Sequence, residues 1–392
     1  MEKREIYLDN SATTRISAEA LRKYIEVSEG CFGNPSSLHS LGVRAEEEIK
    51  RAEGEILSSV KAPAGYGVIF TSSGSEANNL AIIGRAHAKE RFKRGGTVIS
   101  FLGEHASVSE PCEALKREGF KVRYVGTREG KVDMDELCSV LDDSVVLVSC
   151  MMVNNETGAV YDLPSIARAV KARCRDGLFH VDATQSYMKI PFSVSVIGAD
   201  LLTLSSHKIE GPKGVGALVV SDKALRGGAL SPVVFGGGQQ RGLRSGTENV
   251  PGIAAFGEAV RIGKGQISER AMAMTAMREH IIAGLASREA LREISPTLPK
   301  NHAPHILNIT LPGIKSETML HFLSSRGIYV SSGSACSSHG AHTSSALTAY
   351  GRTDRDADSS VRISLSHRNT MEETEALLDA LEEGVKTLSR MK

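Results

Sequence analysis

The stretch Leu201-Leu202-Thr203-Leu204-Ser205-Ser206-His207-Lys208 decides the fold, because a largely apolar run ends in small polar residues and a lysine. The apolar part predicts a strand that is buried on both faces, as in a parallel sheet covered by helices. Residues that follow such a strand lie at the carboxyl edge of the sheet, where ligands bind in α/β proteins. The sequence therefore predicts a ligand-binding edge that includes Lys208.

Further runs of this kind alternate with helical stretches between about residues 66 and 220. They cover residues 67–70, 97–101, 121–125, 145–149, 178–181 and 216–220. Alternation of strands and helices predicts an α/β domain built around a mainly parallel sheet, here of seven strands.

The C-terminal part predicts a second, smaller α+β unit. A strand at 306–311, a helix at about 316–326 and a strand at 361–365 precede a final helix, for which Thr370 and Glu373 fit a capping box. A chain of 392 residues also exceeds the size of a single hydrophobic core. We expect a large domain over 15–262, and a small domain from 1–14 and 263–392 that carries a loop at 331–360.

Composition excludes several function classes. The chain is 41% hydrophobic and 24% charged with a net charge of +1, so it lacks the basic surface of a direct nucleic-acid binder. Residues 1–5 are polar and no stretch approaches membrane-spanning length, which predicts a cytoplasmic protein without membrane association. The six cysteines are scattered without paired spacing, so we expect reduced thiols and no metal site.

Two charged residues end neighbouring predicted strands. Asp182 follows residues 178–181, where a carboxylate can pair with a protonated ring nitrogen; its other interpretation is an Asx turn. Lys208 at the same edge can bind an aldehyde cofactor covalently, whereas most lysines are simply solvated. An Asp and a Lys at the ends of successive strands favour the cofactor.

Other candidates also have two interpretations. The backbone N–H groups of 73–79 and the Ser75 hydroxyl fit a phosphate at a helix N-terminus, but Ser75 alone could be a helix cap. His105 suits proton transfer, or else it is a cap or core residue. Arg362 offers a planar fork for a carboxylate, or forms a surface ion pair.

Cys336 differs from the other cysteines because it lies in a Gly/Ser-rich loop. A nucleophilic thiol must reach its substrate, and a loop provides that reach, although an unreactive surface thiol remains the alternative. Cys138, Cys150 and Cys174 fall in apparent helices or strands, where cysteine acts as a small apolar residue. Cys31 and Cys112 stay undecided.

Six motifs in order along the chain resemble the cysteine desulfurases. They are Asn10-Ser11-Ala12-Thr13-Thr14, Asn34-Pro35-Ser36-Ser37-Leu38-His39, Asn154-Asn155-Glu156-Thr157-Gly158, His180-Val181-Asp182-Ala183, Arg244-Ser245-Gly246-Thr247-Glu248-Asn249 and Ser332-Gly333-Ser334-Ala335-Cys336-Ser337-Ser338. The resemblance implies fold type I of the pyridoxal-phosphate-dependent transferases and a homodimer with shared active sites. It also implies that L-cysteine is converted to L-alanine, with sulfur carried as a persulfide on Cys336 to an acceptor protein.

The resemblance also implies roles for individual residues around pyridoxal 5'-phosphate. Its phosphate would be held by Gly74, Ser75, Ser205, His207 and, from a second subunit, Thr247. The ring would be stacked by His105, its nitrogen would face Asp182, and its phenolic oxygen would lie near Asn155 and Gln185. The aldehyde would be bound by Lys208. Arg362, Asn155 and Asn34 would contact the substrate. The acceptor would be a scaffold or a sulfur carrier, in iron–sulfur cluster assembly or tRNA thiolation.

The chain departs from the family pattern at a few positions. Ser75 stands where threonine is common, Ser206 where glycine is usual, and Ser366-His367-Arg368 where a Gly-Arg-aromatic stretch is usual. Two alternatives stay open: another enzyme of this fold, such as a selenocysteine lyase or an aminotransferase, and a non-catalytic sulfur-assembly scaffold. The first would keep Asp182 and Lys208 but need not use Cys336, whereas Lys208 in its full setting argues against the second.

Overall fold

A computed structural model describes residues 5–89, 92, 95–332 and 344–388 of the chain. In these ranges it contains fourteen strands: β1 Ile6–Tyr7, β2 Gly67–Thr71, β3 Thr97–Phe101, β4 Lys121–Val125, β5 Thr127–Arg128, β6 Lys131–Val132, β7 Val145–Met151, β8 Leu178–Asp182, β9 Leu201–Ser205, β10 Gly216–Val220, β11 Ser295–Pro296, β12 Ile306–Thr310, β13 Ile328–Tyr329 and β14 Ser360–Ser364. The seven strands predicted between residues 66 and 220 are all present, within two residues of the expected ends.

These seven strands form one sheet in the order β2-β10-β9-β8-β7-β3-β4. All neighbours pair in parallel except β10, which runs antiparallel to both β2 and β9. The mainly parallel, seven-stranded α/β fold is therefore confirmed. Its carboxyl edge collects the loops that follow β2, β3, β8 and β9.

The described helices of more than five residues pack around this sheet and behind the C-terminal strands. They are Ala18–Gly30, Ser40–Ser59, Gly74–Ala86, Ala106–Arg117, Met134–Val140, Leu163–Arg173, Val250–Gly263, Ile267–Ser287, Ser316–Ser324, Ser345–Tyr350 and Met371–Leu388. Shorter ones are Val194–Ile197, Asp222–Leu225 and Asp354–Asp358.

Alternate residues of the sheet strands belong to two separate apolar cores, one on each face. Phe70 and Leu202 pack into the first core, whereas their neighbours Ile69 and Leu201 pack into the second. Because both faces are buried, both sets of side chains must be apolar. This explains why the strands read as continuous apolar runs instead of alternating ones.

A third core lies apart from these two and joins the chain start to its C-terminal part. It contains Ile6, Leu8 and residues between Met274 and Leu381, including Leu307, Ile309, Val361 and Ile363 from one face of strands β12 and β14. Helix Val250–Gly263 packs into the first core and helix Ile267–Ser287 into the third. The predicted boundary at 262 stays a prediction, which this separation of cores supports.

The C-terminal region contains the predicted capping box, and its predicted loop is partly helical. The capping box is present, since Thr370 Oγ1 accepts from the Glu373 N–H and the Glu373 carboxylate accepts from the Thr370 N–H, both at 3.3 Å. The predicted loop at 331–360 contains two short helices, Ser345–Tyr350 and Asp354–Asp358. Cys336 lies outside the described residues.

Candidate active site

A cavity of about 230 Å³ opens at the carboxyl edge of the seven-stranded sheet. Ten residues that the sequence singled out line it: Gly74, Ser75, His105, Asn155, Asp182, Gln185, Ser205, His207, Lys208 and Arg362. Ser11, Ala12, Ser73, Ser107, Met151, Val153 and Thr184 complete the lining. Residues from nearly the whole length of the chain thus converge on one site.

One end of the cavity is the N-terminus of helix Gly74–Ala86. Its cap is Ser73, whose hydroxyl accepts from the Glu76 N–H at 3.1 Å, so the interpretation of Ser75 as the cap is wrong. A side chain at Gly74 would stand 3.3 Å from both Ser205 Cβ and Thr184 Oγ1. The helix end therefore approaches β9 closely, and its first N–H groups suit an anion.

Asp182 ends β8 and is 6% exposed. Its Oδ1 accepts from the Thr184 N–H at 2.9 Å, which is the Asx turn, and its Oδ2 accepts from Asn78 Nδ2 at 2.8 Å. The turn and the cavity-lining role are thus compatible. Two donors fix the carboxylate in orientation.

His105 caps helix Ala106–Arg117 and also lines the cavity. Its Nδ1 accepts from the Ser107 N–H at 3.1 Å and lies 2.8 Å from the Ser107 hydroxyl. Burial lowers the pKa of His105 more than the Asp182 carboxylate raises it, so the ring is neutral at neutral pH. With Nδ1 accepting, the single ring proton sits on Nε2.

Asn78 connects Asp182 with Ser107, which in turn contacts His105, and sequence reasoning did not single Asn78 out. It is 1% exposed, and its Nδ2 donates to Asp182 Oδ2 and to the Ser107 hydroxyl, both at 2.8 Å. It lies one helical turn after Gly74, so it was visible only as part of a helix. Only the approach of that helix to β8 reveals its position.

Lys208 is half-buried, at the end of a 3₁₀ turn that follows β9. Its Nζ donates to the backbone oxygens of Ser11 at 2.5 Å and Ala12 at 2.7 Å. The amine therefore lies inside the cavity, held by the segment that precedes the first long helix.

Arg362 enters from β14 and is 2% exposed, so its interpretation as a surface ion pair is wrong. Nη1 donates to the backbone oxygen of Asn155 at 2.9 Å, and Nη2 donates to Asp9 Oδ1 at 3.0 Å. Burial raises the pKa of Asp9, and the Arg362 charge opposes that shift. The guanidinium thus faces the cavity with its charge partly compensated.

Comparison with known proteins decides what this arrangement belongs to. The class-V aminotransferase family model matches residues 6–377. The NifS/IcsS protein homolog of Lactobacillus delbrueckii is 40% identical over 96% of both chains. Cysteine desulfurase IscS of Pasteurella multocida is 37% identical over 98% of this chain and 94% of its own. The chain belongs to the cysteine desulfurase family.

Solved structures agree with this assignment. A NifS-like protein superposes with a TM-score of 0.89 at 34% identity and covers 98% of this chain and 100% of its own. A structure described as SspA in complex with cysteine superposes with a TM-score of 0.79 at 30% identity, over 93% and 100% of the two chains. The predicted fold type I and family are confirmed.

In this desulfurase-family chain, Ser11 and Ala12 line the cavity, and the next two residues contact His207. Gln185 Nε2 donates to the Ser11 oxygen at 3.0 Å, and His207 Nδ1 lies 3.0 Å from Thr13 Oγ1. Burial, with the nearby charges of Lys208 and Lys213, lowers the pKa of His207 to about 4, so its ring is neutral at neutral pH. A neutral imidazole can donate only one ring N–H to an anion.

Two of the described site residues that the sequence predicted are not in this cavity, and a third predicted residue cannot be placed against it. Asn34 and Thr247 do not line it within the single chain, and Cys336 lies outside the described residues. Among the remaining thiols, burial raises the pKa of Cys112 to about 12 and of Cys174 to about 11, and also raises that of Cys150. These three cysteines stay protonated and are poor nucleophiles.

Proposed function

We propose that this chain is a pyridoxal-phosphate-dependent cysteine desulfurase, which converts L-cysteine to L-alanine and takes the sulfur onto Cys336 as a persulfide. The observation that carries the proposal is that Lys208, Asp182 and Arg362 meet in one cavity. An amine, a buried carboxylate and a guanidinium are the groups that this chemistry needs. The names of the relatives support the same activity.

The cavity fits pyridoxal 5'-phosphate in its donor set. An anionic phosphate would lie at the N-terminus of helix Gly74–Ala86, with the hydroxyls of Ser75 and Ser205 and the His207 ring beside it. Asp182 would face the ring nitrogen, and His105 would cover the ring. Asn155 and Gln185 would lie near its phenolic oxygen. When bound, this cofactor supplies an electron-accepting ring that makes the α-proton of an amino acid labile.

Lys208 would act first as the attachment point of the cofactor and then as a base at Nζ. The Ser11 and Ala12 oxygens, at 2.5 and 2.7 Å, hold that amine in one place while it moves the α-proton. Asp182 would hold a proton at the ring nitrogen, and its two hydrogen bonds keep the carboxylate aligned. His105 has its proton on Nε2 and would donate from there.

Arg362 would bind the substrate carboxylate. Its planar fork can hold two oxygens, but one of its amino groups already pairs with Asp9. Substrate would therefore share or displace Asp9, which limits affinity and favours release of alanine. Asn155 keeps the guanidinium oriented through its backbone oxygen, and Asn34 is proposed as a further contact to substrate.

Sulfur transfer would take place at Cys336. Its thiolate attacks the substrate sulfur, an S–S bond forms, and the Cβ–S bond breaks with its electron pair left on carbon. That carbon takes up a proton and becomes the methyl group of alanine. We further propose a cytoplasmic homodimer in which Thr247 reaches the neighbouring cavity, and an acceptor protein, scaffold or carrier, that removes the persulfide sulfur.

The test is to incubate the cofactor-loaded protein with L-cysteine and a reductant and to measure alanine and sulfide. Wild type should release equal amounts of both. Lys208→Ala and Cys336→Ala should release neither, while Cys138→Ala, a change of a half-buried helical cysteine, should match wild type. Full sulfide release by Cys336→Ala would rule out the persulfide route and favour a lyase mechanism.

A further inference from the structure

Glu210 lies two residues after Lys208 and has an unusual backbone conformation. Its φ is +67°, in the left-handed region that residues with side chains rarely adopt. Its N–H donates to Thr14 Oγ1 at 2.7 Å, and its oxygen accepts from the Ser17 N–H at 2.9 Å. Such a conformation persists only where several contacts fix it, and it is concentrated at functional sites.

The Glu210 carboxylate is also buried among cations. The residue is 6% exposed, and Arg368 donates to it from Nε at 2.5 Å and from Nη2 at 3.3 Å. Arg270 Nη1 and His367 Nε2 each lie 3.8 Å away. Burial raises the pKa of Glu210, but the hydrogen bond from Arg368 and the nearby charges lower it by more, so the carboxylate is ionised. Burial lowers the pKa of His367 to about 4, so the lasting positive charges beside Glu210 are those of the two arginines.

The partner residue, Arg368, is tied to the strand that carries Arg362. β14 ends at Ser364, and the turn that follows is closed by Asn369 Oδ1, which accepts from the Ser366 N–H at 2.8 Å. Asn369 Nδ2 also donates to the Tyr7 oxygen at 3.0 Å. Arg368 therefore has a defined position relative to Arg362.

On the other side, Glu210 is tied to the turn that carries Lys208. Ile209 and Gly211 both donate to the Ser206 oxygen, at 3.0 and 3.1 Å. A side chain at Gly211 would stand 2.1 Å from Ser206 Oγ, so the turn is closed tightly on itself. A displacement of Glu210 would therefore also displace this short turn, which carries Lys208.

We propose that Glu210 is a positioning residue whose carboxylate, held by Arg368, keeps the Lys208 amine at a fixed spacing from the Arg362 guanidinium. The inference rests on the proposed function, because the spacing matters only if one amino-acid substrate reaches both groups. Misplacement of reacting groups by about 1 Å is enough to cost a large part of a rate enhancement.

The test uses Glu210→Gln, Arg368→Gln and the double variant. Each single change should lower kcat/KM for L-cysteine about tenfold. The double variant should have the same kcat/KM as the less active of the two single variants, since each single change already removes the Glu210–Arg368 pair. Release of pyridoxal phosphate from the loaded protein should be faster in both. If Glu210 and Arg368 acted through their charges alone, the two single variants should change the rate of pyridoxal-phosphate release in opposite directions. Glu210→Gln removes a negative charge and Arg368→Gln removes a positive one, and the cofactor is an anion.

Two further variants complete the test. Glu210→Gly relieves the backbone strain but lacks the carboxylate, and it should show the same loss as Glu210→Gln. Glu383→Gln removes a different Arg–Glu pair, with Arg326, and should stay within twofold of wild type. Opposite changes in release, additive losses in the double variant, or wild-type values for Glu210→Gly or Arg368→Gln would each overturn the inference.

Arg368→Gln keeps the test decisive if the Glu210 variants do not fold, because its side chain is more than half exposed. If wild type makes no alanine from L-cysteine, the proposed function fails. The cofactor-release comparison does not depend on substrate turnover and still decides between a positional and a purely electrostatic role.

Discussion

The cavity has two walls that are held in different ways. We call the residues at the ends of the large-sheet strands, Ser73–Ser75, His105, Asp182 and Lys208, the sheet wall, and residues 9–14 with 360–369 the terminal wall. On the sheet wall, His105 and Asp182 accept hydrogen bonds from backbone N–H groups two residues further along the chain, those of Ser107 and Thr184. The terminal wall relies on an ion pair between residues 353 positions apart, Asp9 and Arg362.

This difference teaches which parts of the site tolerate change. Such local bonds form with the strand end or the helix itself, so His105 and Asp182 are oriented as soon as these elements form, whereas the Lys208 amine also depends on Ser11 and Ala12. A buried ion pair is orientation-dependent, and loss of one partner leaves a charge in a poorly solvated place. We therefore expect mutations on the terminal wall to cost more than comparable mutations on the sheet wall.

The largest effect is expected for Arg362→Lys. Lysine keeps the charge but not the fork, and a hydrogen bond to a charged group contributes about 1.5–3 kcal/mol, so kcat/KM for L-cysteine should fall about 100-fold. The loss should nearly vanish with L-cysteine methyl ester, which has no carboxylate. Arg292→Lys, an exposed arginine, serves as the control. An equal loss with acid and ester would contradict a carboxylate contact.

The next effect, expected in stability and not in catalysis, is that of Lys189→Met. Burial lowers the pKa of Lys189 from 10.5 to about 8, although Glu210 opposes the shift. Below pH 8 Lys189 is protonated in both the folded and the unfolded state, so the folded protein bears the full cost of burying the charge. Between pH 8 and 10.5 the unfolded state binds more protons than the folded state, so the stability of the wild type rises with pH. Because the pKa falls from 10.5 to about 8, and each unit corresponds to about 1.36 kcal/mol, the variant should gain about 3 kcal/mol at pH 7.

The measurement for Lys189→Met is urea unfolding at several pH values. The advantage of the variant should shrink as pH rises from 8 toward 10.5, the window that the pKa shift defines. Lys300→Met, at an exposed lysine, should show no pH-dependent difference from wild type. A gain that is constant across this range would show that packing, and not the buried charge, is responsible.

The smallest effect is expected on the sheet wall, for Asn78→Ala. The change removes the bridge between Asp182 and Ser107, but Asp182 keeps its bond from Thr184 and His105 keeps its bond from the Ser107 N–H. Two hydrogen bonds are lost, and at about 1 kcal/mol each they predict an affinity for pyridoxal phosphate that is weaker by up to about 30-fold, measured by absorbance. Asn301→Ala is the exposed control. A loss as large as that of Arg362→Lys would invalidate the contrast between the walls.

Sequence reasoning succeeded where the signal is local. The continuous apolar runs predicted all seven sheet strands, because burial on both faces leaves no polar positions in such strands. The positions of Asp182 and Lys208 directly after two of these strands placed them at one edge without any knowledge of contacts. The resemblance added Ser205, His207, Asn155 and Gln185, which line the cavity, and also Thr247 and Asn34, which do not line it within the single chain.

By itself, the sequence determined the sheet, its ligand edge and the family, because strand periodicity and motif order are properties of consecutive residues. Only the tertiary structure decided that Ser73 rather than Ser75 caps the helix, that Asn78 bridges Asp182 and Ser107, and that Glu210 pairs with Arg368 across 158 positions of chain. These contacts join residues distant in sequence, and their partners depend on how the helices and the C-terminal strands pack. No pattern in consecutive residues encodes that packing.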